Sequence, residues 1–470
     1  MLQTTVQFGD WLPDDDRNIT PGAPAEAITT QAVPLQDAKN MLFTGASWRL
    51  YRPLSVSGSA LAATPRDAIT VDASGTLVTF AAAGTKLYKI QAGAITDVSG
   101  AQTFSGSAPW VFQQFGDCLL ATNGTDVVQD FDLTNLAGTF AALAGSPPKA
   151  ATIGMVRDFV VLGNVNDGAA HPYRVQWSAI SNPTQWPAPL TQAARAAQSG
   201  YQDCYSQYGT VQYIAQGEEF GLIFQQRGIV RMQYVGGDVV FNFYTFERKR
   251  GLLTPKAAAQ VGNMVYFLSG DGFYATDGNG VDPIGYGKVN RWFFGRCYDT
   301  SKVRAAVDTN TQCVYWSFPS TSGANDYVIA FNYAEGKWSY GVDTTYALFQ
   351  SLQSGAHIPQ AFDASSKLGT FSGTQSDGEI VTKLFRLQPN QRCMVLAARP
   401  LVDSVCTVAV SAQASDDATQ TFGGFVSRAS RSMKIPLRAN GYLHALDVKL
   451  GSATTYAQGV QLDYVARGRM

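Results

Sequence analysis

Asp277, Asn279 and Val281 stand at alternate positions of the segment DGNGVD, the spacing at which a calcium loop sets its first three ligands. The chemistry fails on two residues. Val281 brings no oxygen, and Lys288 occupies the twelfth position, where such a loop closes on a bidentate Glu. The flanks, Met264 to Leu268 and Phe273 to Ala275, are β-branched and aromatic and read as strands rather than helices. Residues 262 to 285 are therefore expected to form a β-meander, turning at Ser269-Gly270-Asp271-Gly272 and again at Asp277-Gly278-Asn279-Gly280.

Other chemistries meet similar obstacles. The six cysteines, Cys118, Cys204, Cys297, Cys313, Cys393 and Cys406, include no C-x-x-C pair, and His171, His357 and His444 are scattered. No zinc site is expected, and free thiols from a reducing compartment are. Glycoside hydrolysis needs two carboxylates at a fixed separation. The acids Asp117, Asp126, Asp271, Asp277 and Asp308 lie at turns, where Asp bonds its own backbone. A sialidase-type S-x-D-x-G box begins at Ser269 but fails at Phe273. No P-loop, G-x-S-x-G or H-E-x-x-H is present. The expectation is a protein that is not an enzyme and has no catalytic residues, metal or cofactor.

Two clusters are left. Arg248, Lys249 and Arg250 in FERKRG form the densest basic group. They are candidates to face a channel and meet DNA phosphates, or else a solvated link. Trp186, Trp292, Phe293, Phe294, Trp316 and Trp338 read as packing residues. Trp292-Phe293-Phe294 is the exception, since three successive aromatics cannot all face one core. Trp292 and Phe293 are thus candidate inter-subunit contacts.

The elements that must carry these residues are short β-runs cut by Gly, Asn, Asp or Pro. Only 187 to 198 and Lys288 to Phe294 suggest helices. Six three-strand units recur between residues 75 and 341. With Leu87, Leu119, Phe159, Leu222, Val265 and Val314 as equivalents, the spacings are 32, 40, 63, 43 and 49. A period near 40 with three or four strands per unit is a propeller-blade signature. The expected fold is all-β: a β-propeller of about six blades (five or seven being open) over 41–375, then a C-terminal β-sandwich over 376–470. Residues 1–40, with four prolines, read as an extended N-terminal arm whose strand pairing comes from a neighbour or the last blade.

Charge bounds the partners. Charged residues make up only 15% and net charge is −1, so no global field recruits nucleic acid or an acidic membrane. No signal peptide is evident, and no run of 18 apolar residues exists to span a membrane. The balance is uneven: residues 1–40 carry −4 and residues 381–470 carry +6. Asp14, Asp15 and Asp16 are therefore expected to meet basic residues of another subunit.

Several stretches resemble a family of bacteriophage tail proteins. The opening FGDWLPDDDRNITPGAP…YRPL, the element WSAISNPTQW at 177–186, and FQQRGIVRMQYVGGD, VYFLSGDGFYATDG, PIGYGKVNRWFF and YVIAFNYAEGKWS follow in the family's order. PLRANGYLHALDVKLGSATTYAQGVQLDYVARGR resembles its closing strands. A more distant resemblance is to the packaged-DNA stabilisation protein, or tail hub, of short-tailed phages. The likeness implies a structural virion protein, assembled in the host cytoplasm as a homo-oligomer, a hexamer, that rings the DNA channel as hub or nozzle. Portal and adaptor proteins, tail fibres, spikes or needle are the implied partners, with transient, non-specific passage of duplex DNA. The alternative is a receptor- or glycan-binding, or glycan-cleaving, propeller at the tail tip.

Overall fold

The structure is a computed structural model that describes residues 1–15, 32–106, 109–353, 355–375, 377–389, 391–414, 419–427 and 433–469. It is all-β: a β-propeller joined to a β-sandwich, with two short helices, α1 (Gln192–Ala197) and α2 (Asn290–Arg296).

Six blades are meanders of consecutive strands. They cover 65–97, 111–142, 149–203, 211–247, 258–283 and 304–345, each antiparallel throughout. These are the six units read from the sequence. The segment 262–285 forms the strands Met264–Ser269, Gly272–Thr276 and Val281–Pro283, turning at both Asp-Gly sites. Asp277 accepts the amide of Asn279 at 2.9 Å, so its carboxylate shapes the turn.

A seventh blade closes the ring. The strand Lys337–Gln353 runs through two blades: its first half ends the sixth and its second half starts the seventh, with a left-handed residue at Ala347 (φ 45°). Ala356–Phe362 and Lys367–Phe371 follow, and the fourth strand is Leu54–Ala60, antiparallel to Lys367–Phe371. Ser351 then bridges Thr70 of the first blade. Strand pairing to an element made some 300 residues earlier locks the circle, leaving no blade to splay.

The sandwich draws on both ends of the chain. One sheet joins Leu2–Trp11, Ala457–Arg469, Gln391–Val402 and Ile435–Gly441. The other joins Val33–Lys39, Gly378–Thr382, Leu443–Leu450, Cys406–Gln413 and Val426–Ser427. Leu2 to Gln7 pair with Tyr464 to Gly459, while Phe8 and Trp11 pair in parallel with Val33 and Leu35. The extended arm expected over 1–40 is thus corrected for its described parts. Val6, Phe8 and Trp11 enter the core, and that burial outweighs the turn-forming composition around them.

Sandwich and propeller share one apolar core, in which Trp11, Trp48, Phe273, Trp316 and Trp338 are all fully buried. The hairpin Met41–Thr44 and Ser47–Leu50 spans the junction, pairing at Met41 with Tyr340 and at Trp48 with Ala457. A Cβ at Gly341 would lie 2.4 Å from the Tyr51 ring, so glycine permits the crossing.

Asp343 clasps the entry to the closing strand. It accepts the Leu54 amide at 2.6 Å and the Tyr51 hydroxyl at 3.2 Å. Burial pushes its carboxyl up to about 6, against those bonds. A carboxyl raised above its unfolded value stabilises most below the unfolded value, and that contribution is lost as pH rises through the folded one. The clasp should therefore weaken between about pH 4 and pH 6. Relative to Asp343→Asn, the natural chain is expected to lose about 1–3 kcal/mol across that interval. Urea midpoints of both proteins at half-unit pH steps check this; parallel curves would refute it.

Candidate functional site

The inner strands of all seven blades surround an axial cavity of about 1020 Å³. They run in the same direction, as the parallel bridges Ser351–Thr70 and Val156–Gly217 show. The cavity therefore has two unlike ends. Strand starts supply Asp67 and Lys256, and strand ends supply Arg157, Glu218, Glu219 and Asn263.

At the first end an ion cluster crosses the axis. Asp67 of the first blade, 4% exposed, pairs with Lys256 at the start of the fifth and with Arg304 of the sixth, the latter at 3.2 Å. Arg304 also donates to the Arg66 carbonyl, and Ala305 donates its amide to the Lys256 carbonyl at 2.7 Å. Burial lowers the Lys256 ammonium from its ordinary range; the Asp67 carboxylate opposes this and the Arg304 guanidinium adds to it. The cluster carries two cations against one anion. No sequence pattern announces it, because Asp67 is 189 residues from Lys256 and 237 from Arg304.

The walls mix amides and rings. Gln113, Gln216, Gln260 and Gln350 line them beside Phe112, Tyr213, Phe220 and Phe349. Gln260 and Gln216 tie the fifth blade to the fourth through backbone and side chain, at 3.1 and 2.7 Å. The hydroxyl of Thr152, a wall residue only 1% exposed, has no hydrogen-bond partner.

The sequence candidates fall elsewhere. Arg248, Lys249 and Arg250 follow the outer strand Val240–Glu247 of the fourth blade and do not line the axial cavity. The Glu247 carboxylate accepts all three of their amides, at 2.8 to 3.1 Å. Arg250 also pairs with Asp271 at 3.3 Å and lies over the Tyr274 ring. This is the link-between-blades arrangement. It is held by a capping carboxylate.

Asp14 and Asp15 have partners in their own chain. Asp14 accepts the amides of Arg291 and Trp292 at 2.6 and 2.7 Å and so caps α2 from a distance of 277 residues in sequence. Asp15 lies 3.8 Å from Lys383. The pairing of Leu2–Trp11 with the sandwich carries these acids to the junction, where they have partners within the chain. Asp16 lies outside the described residues.

Phe293 is fully buried and Trp292 half-buried, and both pack at the junction of propeller and sandwich. A seven-residue helix turns the three aromatics different ways: Phe293 meets Phe273 and Phe318, and Trp292 meets Trp11 and Tyr340. Trp186, Trp316 and Trp338 are packing residues, each 8% exposed or less.

The element WSAISNPTQW builds a corner. The Trp177 indole donates to the Gln198 carbonyl at 3.0 Å, Ser178 accepts the Val160 amide at 3.1 Å, and Trp186 donates to the Pro183 carbonyl at 2.7 Å. A second cavity of about 760 Å³ lies between propeller and sandwich, with Arg49 and Arg52 among its lining. Among the described residues, no group of three or more His, Cys, Asp or Glu is placed to hold a metal ion, and no helix is long and apolar enough to cross a membrane.

No family model matches the chain, and no curated protein does. Among solved structures it is similar to a component of one described as "Crystal Structure of Mitotic Checkpoint Complex", at TM-score 0.38 and 11% identity, over 67% of this chain and 96% of that one.

Proposed function

We propose that the chain is a non-catalytic structural subunit of a bacteriophage tail, assembling as a ring of identical copies, a hexamer, around the path of the DNA. One observation carries this reading. Three of the segments that resemble tail proteins supply framework. WSAISNPTQW makes a hydrogen-bonded corner pinned by the buried Trp177 and Trp186, YRPL leads into the strand that closes the ring, and GKVNRWFF builds the α2 junction. Shared framework is what structural subunits have in common.

The axial cavity bears on where DNA passes. At about 1020 Å³ it sits at the upper limit of small-ligand pockets and is far too small for a duplex. An ion cluster also crosses one end. The DNA path belongs to the axis between copies, below portal and adaptor rings, with fibres, spikes or needle attached outside.

Native mass spectrometry and electron microscopy of the purified chain, alone and with portal and adaptor proteins, test the assembly. Immunogold labelling of virions tests the location. A six-fold ring on the tail is expected. A chain that stays monomeric in every mixture, label on the capsid alone, or sugar released from host polysaccharide would overturn the reading.

A further inference from the structure

The axial cavity has the chemistry of a ligand site that a framework role does not need. Its base is lined by Lys256 and Asp67, and Arg304 pairs with Asp67 beside it, so the cluster holds one uncompensated positive charge in a largely buried position. An ammonium has three donors, and Asp67 is the one acceptor found for Lys256. The walls offer the amides of Gln216 and Gln350, which make no hydrogen bond through their side chains. Tyr213 and Phe220, each partly exposed, line the same walls. Planar amides beside rings suit a sugar, whose hydroxyls need paired donors and acceptors and whose C–H face needs an apolar wall.

The charges narrow the class. A base of +1 balances a monoanion and leaves a phosphate dianion uncompensated. At the opposite end the exposed Glu218 and Glu219 outnumber Arg157, and that net negative charge disfavours a polyanion such as a nucleic-acid strand. We propose that the axial cavity binds a saccharide unit carrying a single carboxylate, with that carboxylate on Lys256 and the hydroxyls on the glutamine amides. This site does not depend on the assembly proposed above.

Saturation-transfer NMR on the full chain tests it with four probes: methyl β-glucuronide, methyl β-glucoside, glucose 6-phosphate and acetate. The glucuronide should bind at least fivefold more tightly than the glucoside. Glucose 6-phosphate should bind more weakly than the glucuronide, and acetate should not compete at equal concentration. Lys256→Met, which leaves Asp67 paired with Arg304, should remove the preference for glucuronide over glucoside. Gln350→Leu changes a wall residue without touching the cluster and should weaken both sugars severalfold; it serves where Lys256→Met fails to fold. No transfer from any probe, equal binding of glucuronide and glucoside, tighter binding of the phosphate, or full competition by acetate would overturn the proposal.

Discussion

Replacing Asp67 by Ala should cost about 3–5 kcal/mol of stability, the range for removing one partner of a buried ion pair. The carboxylate is almost wholly buried and is shared by Lys256 and Arg304. Without it two partly buried cations are left side by side, and the first blade loses its tie across the axis to the fifth and sixth. The loss is mainly that of stranded charge. Asp67→Ala combined with Arg304→Met should therefore recover part of it, although it removes a further ion-pairing group. Equilibrium urea unfolding of the natural chain and both variants measures this. A single variant within 1 kcal/mol of the natural protein, or a double variant less stable than the single, would show that the cluster is solvated and contributes little.

Trp11→Ala should be comparably damaging, at about 3–5 kcal/mol for a fully buried tryptophan. Trp11 packs edge-on against Trp292 at 4.8 Å and beside Tyr340 at the same distance, so it touches sandwich, α2 and sixth blade together. Removing residues 1–11 should go further. Val6, Phe8 and Trp11 leave the core, and Ala457–Arg469 loses the partner on one edge. Thermal melting and limited proteolysis should then show the sandwich opening before the propeller. An unchanged melting temperature would mean that the segment only decorates the surface.

The sequence made the repeated blades legible because each is local. An apolar run, a Gly or Asp turn and a second run lie within forty residues, as in 262–285. What it hid was pairing over distance. The seventh blade takes its last strand, Leu54–Ala60, from far upstream, and most of that strand's residues are exposed, so no apolar run marks it. The strand Leu2–Trp11 did carry a signal, with Val6 and Phe8 on one face and Trp11 beyond. The Pro- and Asp-rich stretch after it masked that signal. The intrachain partners of Asp14 and Asp15 were hidden for the same reason: they lie beside Arg291 and Lys383 only once the sandwich has formed. The axial cluster joins three blades and leaves no spacing to read.

The propeller is inserted between strands of the sandwich, and this sets an order of events on the ribosome. Leu2–Trp11 emerges early, but its partner Ala457–Arg469 lies some 450 residues later. At translation rates of about 5–20 residues per second, that partner follows after roughly 20–90 s. The blades can fold as they emerge, while Leu54–Ala60 waits for Lys367–Phe371. Throughout that interval the nascent chain carries Val6, Phe8 and Trp11 uncovered, beside other growing chains of the same polysome. Slow synthesis or high expression should thus favour exchange of this strand between neighbouring nascent chains, and chaperone capture near the start of the chain should improve yield.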